Sequence, residues 1–118
     1  MAEHSRSKKI LKHIKYELEE LKAENIVDID VTKLTDVTDY IVIVSGTSSR
    51  HVKSLAKNLA NKLKADNIKP NGIEDDPSGQ WILIDYIDVV VHIMLPATRE
   101  LYDLEKFWTI EIAEKLRR

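Results

Sequence analysis

The chain has 118 residues, 43% of them apolar, and sets 18 lysines and arginines against 20 aspartates and glutamates for a formal charge of −2. Without a cysteine it can form neither a disulfide scaffold nor a thiolate metal site. Three glycines, three prolines and apolar residues spread throughout exclude a disordered or collagen-like protein, and this length suits one domain, 1–118, able to bury about two-thirds of its unfolded surface. Near-neutral charge argues against a protein whose main task is wrapping bare nucleic acid, although a local basic face stays compatible with it. Lys8, Lys9, Lys12, His13 and Lys15 interrupt every apolar run near the start, so neither a signal peptide nor a membrane span is expected there, and a cytoplasmic location is.

Ser5 to Ala23 sets Ile10, Leu11, Ile14, Leu18 and Leu21 on one stripe and predicts an amphipathic helix. Its charges oppose the helix dipole, with Arg6, Lys8, Lys9 and Lys12 early and Glu17, Glu19, Glu20 and Glu24 late. Solvated neighbours such as Lys15 and Glu19 account for this better than an anionic partner, so no site is assigned. Asn25 to Val31 alternates as an edge strand, with Asp28 and Asp30 on its wet face. Tyr40 to Val44 is continuously apolar, the pattern of a strand buried on both faces, and enters Ser45-Gly46-Thr47-Ser48-Ser49, where Ser48 or Ser49 caps the next helix. That helix places Val52, Leu55, Ala56, Leu59, Ala60 and Leu63 on one stripe, keeps Arg50, Lys53, Lys57 and Lys64 elsewhere, and ends near Asp66-Asn67.

Ile68 to Glu74 predicts a short edge strand in spite of Pro70 and Gly72, and Asp75 to Gly79 a turn. Gln80–Asp85 and Asp88–Leu95 form two antiparallel strands about a bend at Asp85-Tyr86-Ile87-Asp88. Pro96 closes the second, and a last helix follows with Leu101, Leu104, Trp108, Ile112 and Leu116 on one face and Arg117-Arg118 at its C-terminus. The order α-β-β-α-β-β-β-α implies an α/β fold, a mixed sheet of about five strands packed with helices.

The chemistry-bearing residues assemble no catalytic, cofactor or metal set. Ser45 to Ser49 offers N–H groups and hydroxyls to a phosphate but lacks the lysine and length of a Walker loop, and serves equally as a glycine turn with a serine cap. Asp28-x-Asp30 and Asp85-x-x-Asp88 are carboxylate pairs able to face one divalent cation, yet their order relative to Gly46 is wrong for nucleotidyl transfer. His92, flanked by apolar residues, fits a buried histidine with one hydrogen bond better than a ligand or general base. Trp81 opens a strand beside an acidic loop, with Arg99, Tyr102 and Trp108 further on; such side chains pack cores and also anchor protein interfaces, and for Trp81 both readings stay open.

Three stretches are diagnostic: Asp36-Val-Thr-Asp-Tyr-Ile-Val-Ile-Val-Ser-Gly-Thr-Ser-Ser-Arg-His-Val52, Trp81-Ile-Leu-Ile-Asp-Tyr-Ile-Asp-Val-Val-Val-His92 and Arg99-Glu-Leu-Tyr-Asp-Leu-Glu-Lys-Phe-Trp108. Together the chain resembles the ribosomal silencing factor family, RsfS or Iojap, from about Ile10 to Trp108. The resemblance implies a nucleotidyltransferase-like core without catalysis. It also implies a factor that binds the large ribosomal subunit at ribosomal protein fourteen and blocks joining of the small subunit, repressing translation when nutrients fall. Trp81, Asp85, Tyr86, Asp88, His92, Arg99 and Tyr102 are the partner-binding residues so implied; no cofactor, metal, membrane or sequence-specific nucleic acid is, while a homodimer in solution is compatible. Asp75 and Ile87 stand where the family usually has glycine, so the bend at Ile87 must change type or carry strain. Two other functions remain open from the residues: a nucleotide-binding or nucleotidyltransferase-like enzyme using Gly46, Ser48 and the aspartates, and a small RNA-binding module using Arg50, Lys53 and Lys57.

Overall fold

An unbroken apolar run leaves a strand no face for water, and Tyr40–Ser45 is buried at every position. The computed structural model describes residues 2–108, with side chains from Ser5 onward. The elements are α1 (Ala2–Glu20), β1 (Glu24–Asp30), β2 (Tyr40–Ser45), α2 (Ser49–Ala65), β3 (Gly72–Asp75), β4 (Trp81–Asp85), β5 (Val89–Met94), α3 (Pro96–Tyr102) and α4 (Leu104–Phe107). They build a mixed sheet of order β1-β2-β5-β4-β3, in which β2 runs parallel to β5 and the other neighbours are antiparallel. The expected sheet of about five strands, with β1 and β3 at its edges, is thus the observed one.

Alternation sorts the strands onto two faces. Tyr40, Val42 and Val44 of β2 join Ile82 and Ile84 of β4 and Val89, Val91 and Ile93 of β5 against α1 and α2, which supply Ile10, Ile14, Leu18, Val52, Leu55, Leu59 and Leu63. Each such buried Val, Leu or Ile contributes about 1.5–3 kcal/mol. The opposite face holds Ile41, Ile43 and Met94 beneath Val31, with Ile29, Leu34, Trp81, Leu104 and Trp108 packed around them. The step from β2 into α2 is tight. A Cβ on Gly46 would stand 2.9 Å from the Val52 backbone nitrogen, so glycine is required there by close approach. Ser48, not Ser49, caps α2, its hydroxyl accepting the His51 N–H at 3.1 Å.

Several local expectations change. Val27 and Ile29 register with Ile43 and Ile41, but Asp28 points to the α1 side and pairs with Lys15 at 2.7 Å, so Lys15 is tied to β1 instead of lying free beside Glu19. The last helix is not continuous. Asp103 takes a left-handed conformation, φ 48°, and its N–H returns to the Arg99 carbonyl, ending α3 before α4 begins. Aspartate tolerates that conformation better than most residues. Leu101, expected on the packed face, is 78% exposed, whereas Leu104 and Trp108 do pack; Ile112, Leu116 and Arg117-Arg118 lie outside the described residues.

Ile87 carries the strain expected of it. The Asp88 N–H donates to the Tyr86 carbonyl at 2.8 Å, a three-residue γ-turn with Ile87 at its centre and φ 69°. This positive-φ form of the turn is strained, more so for a β-branched residue. The Asp85 carboxylate accepts the Ile87 N–H at 2.7 Å and holds the turn in place. Ile87 is 58% exposed and gives little burial in return. Ile87→Gly is therefore expected to stabilise the fold by about 1 kcal/mol, raising Tm by about 4 °C in a thermal melt; an unchanged or lowered Tm would contradict the strain.

Candidate functional site

The seven residues implied by the family motifs do not form one cluster. Trp81 and Leu83 of β4 and His92 of β5 point away from α1 and α2, with Trp81 opposite Met94 and Leu83 opposite His92. Trp81 and His92 are therefore diagonal neighbours, close enough to bond. The Trp81 indole N–H donates to His92 Nδ1 at 3.0 Å, and the ring centroids lie 5.8 Å apart. An indole nitrogen can only donate, so Nδ1 is the bare nitrogen and the imidazole proton sits on Nε2. Tyr102 completes the group, its ring 4.9 Å from that of Trp81. It can do so because Pro96 starts α3 directly after β5 and folds the chain back over the sheet.

Trp81 is both core and surface. It packs beside Ile43 and Met94, yet remains partly exposed, while Tyr102 is 55% exposed. Together with Leu83, Thr98 and Gln80 the two rings line a shallow cavity of about 450 Å³ whose rim is Glu74, Asp75 and Asp76. An aromatic floor below three carboxylates suits a partner surface that is basic and partly apolar. Asp76 is held below the usual carboxylate range, first by the Ser78 hydroxyl at 2.7 Å and then by the Ser78 N–H, so this one carboxylate keeps its charge in mild acid.

Arg99 supports the patch from beneath. It is buried, with Nη1 donating to the Ser45 hydroxyl at 2.9 Å and Nε to Glu105 at 2.9 Å. The break at Asp103 is what brings Glu105 back over Arg99, and this clamp ties the end of β2 to α3 and α4. Neither Ser45 nor Glu105 was singled out as Arg99's partner: Ser45 lies 54 positions away, and Glu105, six positions on, reaches Arg99 only because the helix breaks at Asp103. The rim carboxylates Glu74 and Asp75 were likewise missed as site residues; the acidic run beside Trp81 was the available signal.

The other three residues lie at the far end of β4, about 13 Å from Trp81 along the strand. Asp85 is held by the Ile87 N–H and by Asn71, and Asp88 pairs with Arg6 at 3.6 Å. Tyr86 is buried in the core under α1 and α2, where desolvation pushes its hydroxyl up to about 12. The phosphate reading of Ser45 to Ser49 loses two backbone donors to the fold, the Gly46 N–H to the Met94 carbonyl and the Thr47 N–H to His51 Nδ1, while the Ser48 hydroxyl is turned to accept the His51 N–H as the cap of α2. Asp28 and Asp30 are engaged by Lys15 and Thr32, and no group of three or more metal-ligating side chains occurs among the described residues. Nor, among those residues, is any helix long and apolar enough to cross a membrane.

Comparison with known proteins bears directly on this arrangement, because residues 4–117 match the family described as ribosomal silencing factor during starvation. The chain belongs to the RsfS family. The RsfS protein of Chromobacterium violaceum is 43% identical over 91 residues, 77% of this chain and 75% of that protein. A mouse protein, mitochondrial assembly of ribosomal large subunit protein 1, is 38% identical over 76% of this chain and 42% of its own length. The crystal structure of a Chromobacterium violaceum protein superposes with a TM-score of 0.82 at 40% identity, covering 86% of this chain and 84% of that one. The first two motifs of this RsfS chain thus supply β2, β4 and most of β5, the third supplies most of α3 and all of α4 over that sheet, and the Trp81–Tyr102 and Asp85–Asp88 groups stand at opposite ends of β4.

His92 makes the patch sensitive to acid. Burial pushes its imidazole down to about 4 from the ordinary 6.5, so the folded chain keeps it neutral while the unfolded chain protonates it from pH 6.5 downward. Stability is accordingly full above pH 6.5 and falls as the pH drops toward 4, by on the order of 2 kcal/mol at pH 5. Urea unfolding at pH 7 and pH 5 should show this loss, and His92→Gln, which retains an acceptor for Trp81 and cannot be protonated, should flatten it. Superimposable pH curves for the two proteins would refute the assignment.

Proposed function

We propose that this RsfS protein docks on the large ribosomal subunit, at ribosomal protein fourteen, through the Trp81–Tyr102 patch and its acidic rim, and blocks the small subunit sterically, without catalysis, in the cytoplasm. The observation carrying this reading is the tilted pair of the partly exposed Trp81 and the exposed Tyr102, 4.9 Å apart and lining a cavity edged by Glu74, Asp75 and Asp76, in a chain whose relatives are named for silencing ribosomes and assembling their large subunit. Aromatic side chains held rigid by their own packing bind with little loss of freedom, which is why they dominate interfaces. In this reading Trp81 and Tyr102 touch the partner, His92 and Arg99 hold the surface in shape, and Tyr86, buried under α1 and α2, serves the core and not the contact. Asp85 and Asp88 act at the margin of the contact.

Tyr102→Ala is the cleanest variant, because Tyr102 is the more exposed ring. It should keep its Tm within a few degrees while losing affinity in large-subunit pelleting by about tenfold, or 1.4 kcal/mol. Trp81→Ala should lose about 2 kcal/mol of binding and also some stability, since it abandons both His92 and the packing on Met94. A folded Tyr102→Ala with undiminished pelleting would remove the patch from the contact, and joined-ribosome profiles unchanged at saturating wild-type protein would sink the function itself.

The apolar side chains Ile73, Leu101, Tyr102 and Phe107 are all exposed and support a monomer–dimer equilibrium in which the dimer parts before docking. Sedimentation equilibrium should then give a weight that rises with concentration; a monomer throughout would rule the dimer out.

A further inference from the structure

α2 has a charge pattern that the packing does not use and that meets the aromatic patch only through the pull of Lys53 on Asp76. Its 17 residues include Arg50, Lys53, Lys57, Lys62 and Lys64 and no carboxylate. The whole chain holds 18 basic and 20 acidic residues, so outside α2 the balance is 13 against 20, or −7; positive charge is segregated onto this helix. With about 100° per residue, Arg50, Lys53, Lys57 and Lys64 fall within a sector of about 60° and extend over about 21 Å of the helix axis. All four are exposed, and none is ion-paired among the described residues. Lys53 alone of the four exerts a resolved pull on a carboxylate, a minor one on Asp76.

Helix stability explains Lys64, a cation in the last turn, but not the rest of the stripe. Arg50 and Lys53 stand near the positive end of the helix dipole, and the first turn contains no acidic residue to offset them. Nor does a bilayer fit. Val52, Leu55, Leu59 and Leu63 are fully packed against the sheet and α1, so α2 has no free apolar face to insert. Isolated carboxylates on a protein would pair only weakly with such exposed cations. A polyanion differs, since it repeats its charge along a line and releases condensed counterions as each cation docks. Ser54 and Asn61, exposed on the same side, add neutral hydrogen-bonding groups to the row.

We infer that the exposed row Arg50, Lys53, Lys57 and Lys64 on α2 is a docking surface for the phosphate backbone of structured RNA, with no base readout. It lies on the helix-covered side of the sheet, whereas Trp81 and Tyr102 pack on the other, and the two surfaces approach each other at Lys53, whose charge acts on the rim carboxylate Asp76. The inference goes beyond the ribosome-docking reading and survives its failure, because purified RNA tests the row and large-subunit pelleting of Tyr102→Ala tests the patch.

The probe is a fluorescein-labelled RNA hairpin of mixed sequence, titrated with the full chain by anisotropy at about 50–200 mM salt. Four phosphate contacts predict a log–log salt slope of about −3 to −4, with little change when the hairpin sequence is scrambled. The combined variant Arg50→Gln, Lys53→Gln, Lys57→Gln, Lys64→Gln should keep its circular dichroism and Tm, lose about tenfold or more in affinity at low salt and flatten the slope. The control Lys8→Gln, Lys9→Gln, Lys12→Gln on α1 should change affinity less than about twofold. Absence of hairpin binding by the wild type at about 50 mM salt overturns the inference, as does equal loss in both variants. Equal displacement by polyglutamate at matched charge would assign the row to an acidic protein instead, and capture by phosphatidylserine vesicles without hairpin binding would assign it to a membrane.

Discussion

The structure is organised by the need to dry both faces of β2. A strand of the sequence Tyr-Ile-Val-Ile-Val cannot lie on a surface, and its parallel partner β5 shares the same demand. One face is met in full by two long helices. The other is met by shorter pieces: the loop around Val31 and Leu34, then α3 and α4. Among the described residues these helices are seven and four residues long, and Trp81 stays partly exposed at their margin, with the Tyr102 ring of α3 leaning on it. The candidate contact surface is therefore the margin of that second core layer, where an aromatic ring is both packed and accessible.

That position accounts for the polar residues in the same layer. His92 occupies a site on β5 where an apolar side chain would pack, and it is tolerable because the Trp81 indole satisfies one nitrogen while burial keeps the ring neutral. Arg99 is a charge held under the same layer, and it persists because Ser45 and Glu105 take its donors. Each polar group fixes the orientation of something above it: His92 the plane of Trp81, Arg99 the root of the helix that carries Tyr102. Positional accuracy at the surface thus comes from hydrogen bonds beneath it.

Much of this was legible in linear form. The continuous run at residues 40–44 announced a two-faced strand, the 3.6-residue stripe of α2 announced its packing, and Trp81 after an acidic loop announced a residue with two roles. The misses share a cause. The broken last helix turns on a single left-handed residue, Asp103, and residue periodicity is blind to one φ angle. Periodicity placed Leu101 on the wrong side for the same reason. The division of the motif residues between two ends of the sheet followed from register, and the Lys15–Asp28 pair from the docking of α1 beside β1, neither of which is local in sequence.

The parallel pairing of β2 with β5 also sets the order in which the chain can fold. Tyr40 registers with Val89, 49 positions later, so the most apolar strand cannot find its partner until nearly the whole sheet has been synthesised. At about 5–20 residues per second, that leaves β2 unpaired along this edge for roughly 2–10 s on a translating ribosome. In that interval α1, α2, β1 and the loop around Val31 and Leu34 are already made and can shield it, and the local β3–β4 hairpin forms just ahead of β5 and presents an edge for it to join. The strand that dictates the final architecture is thus the one most exposed to misassociation during synthesis.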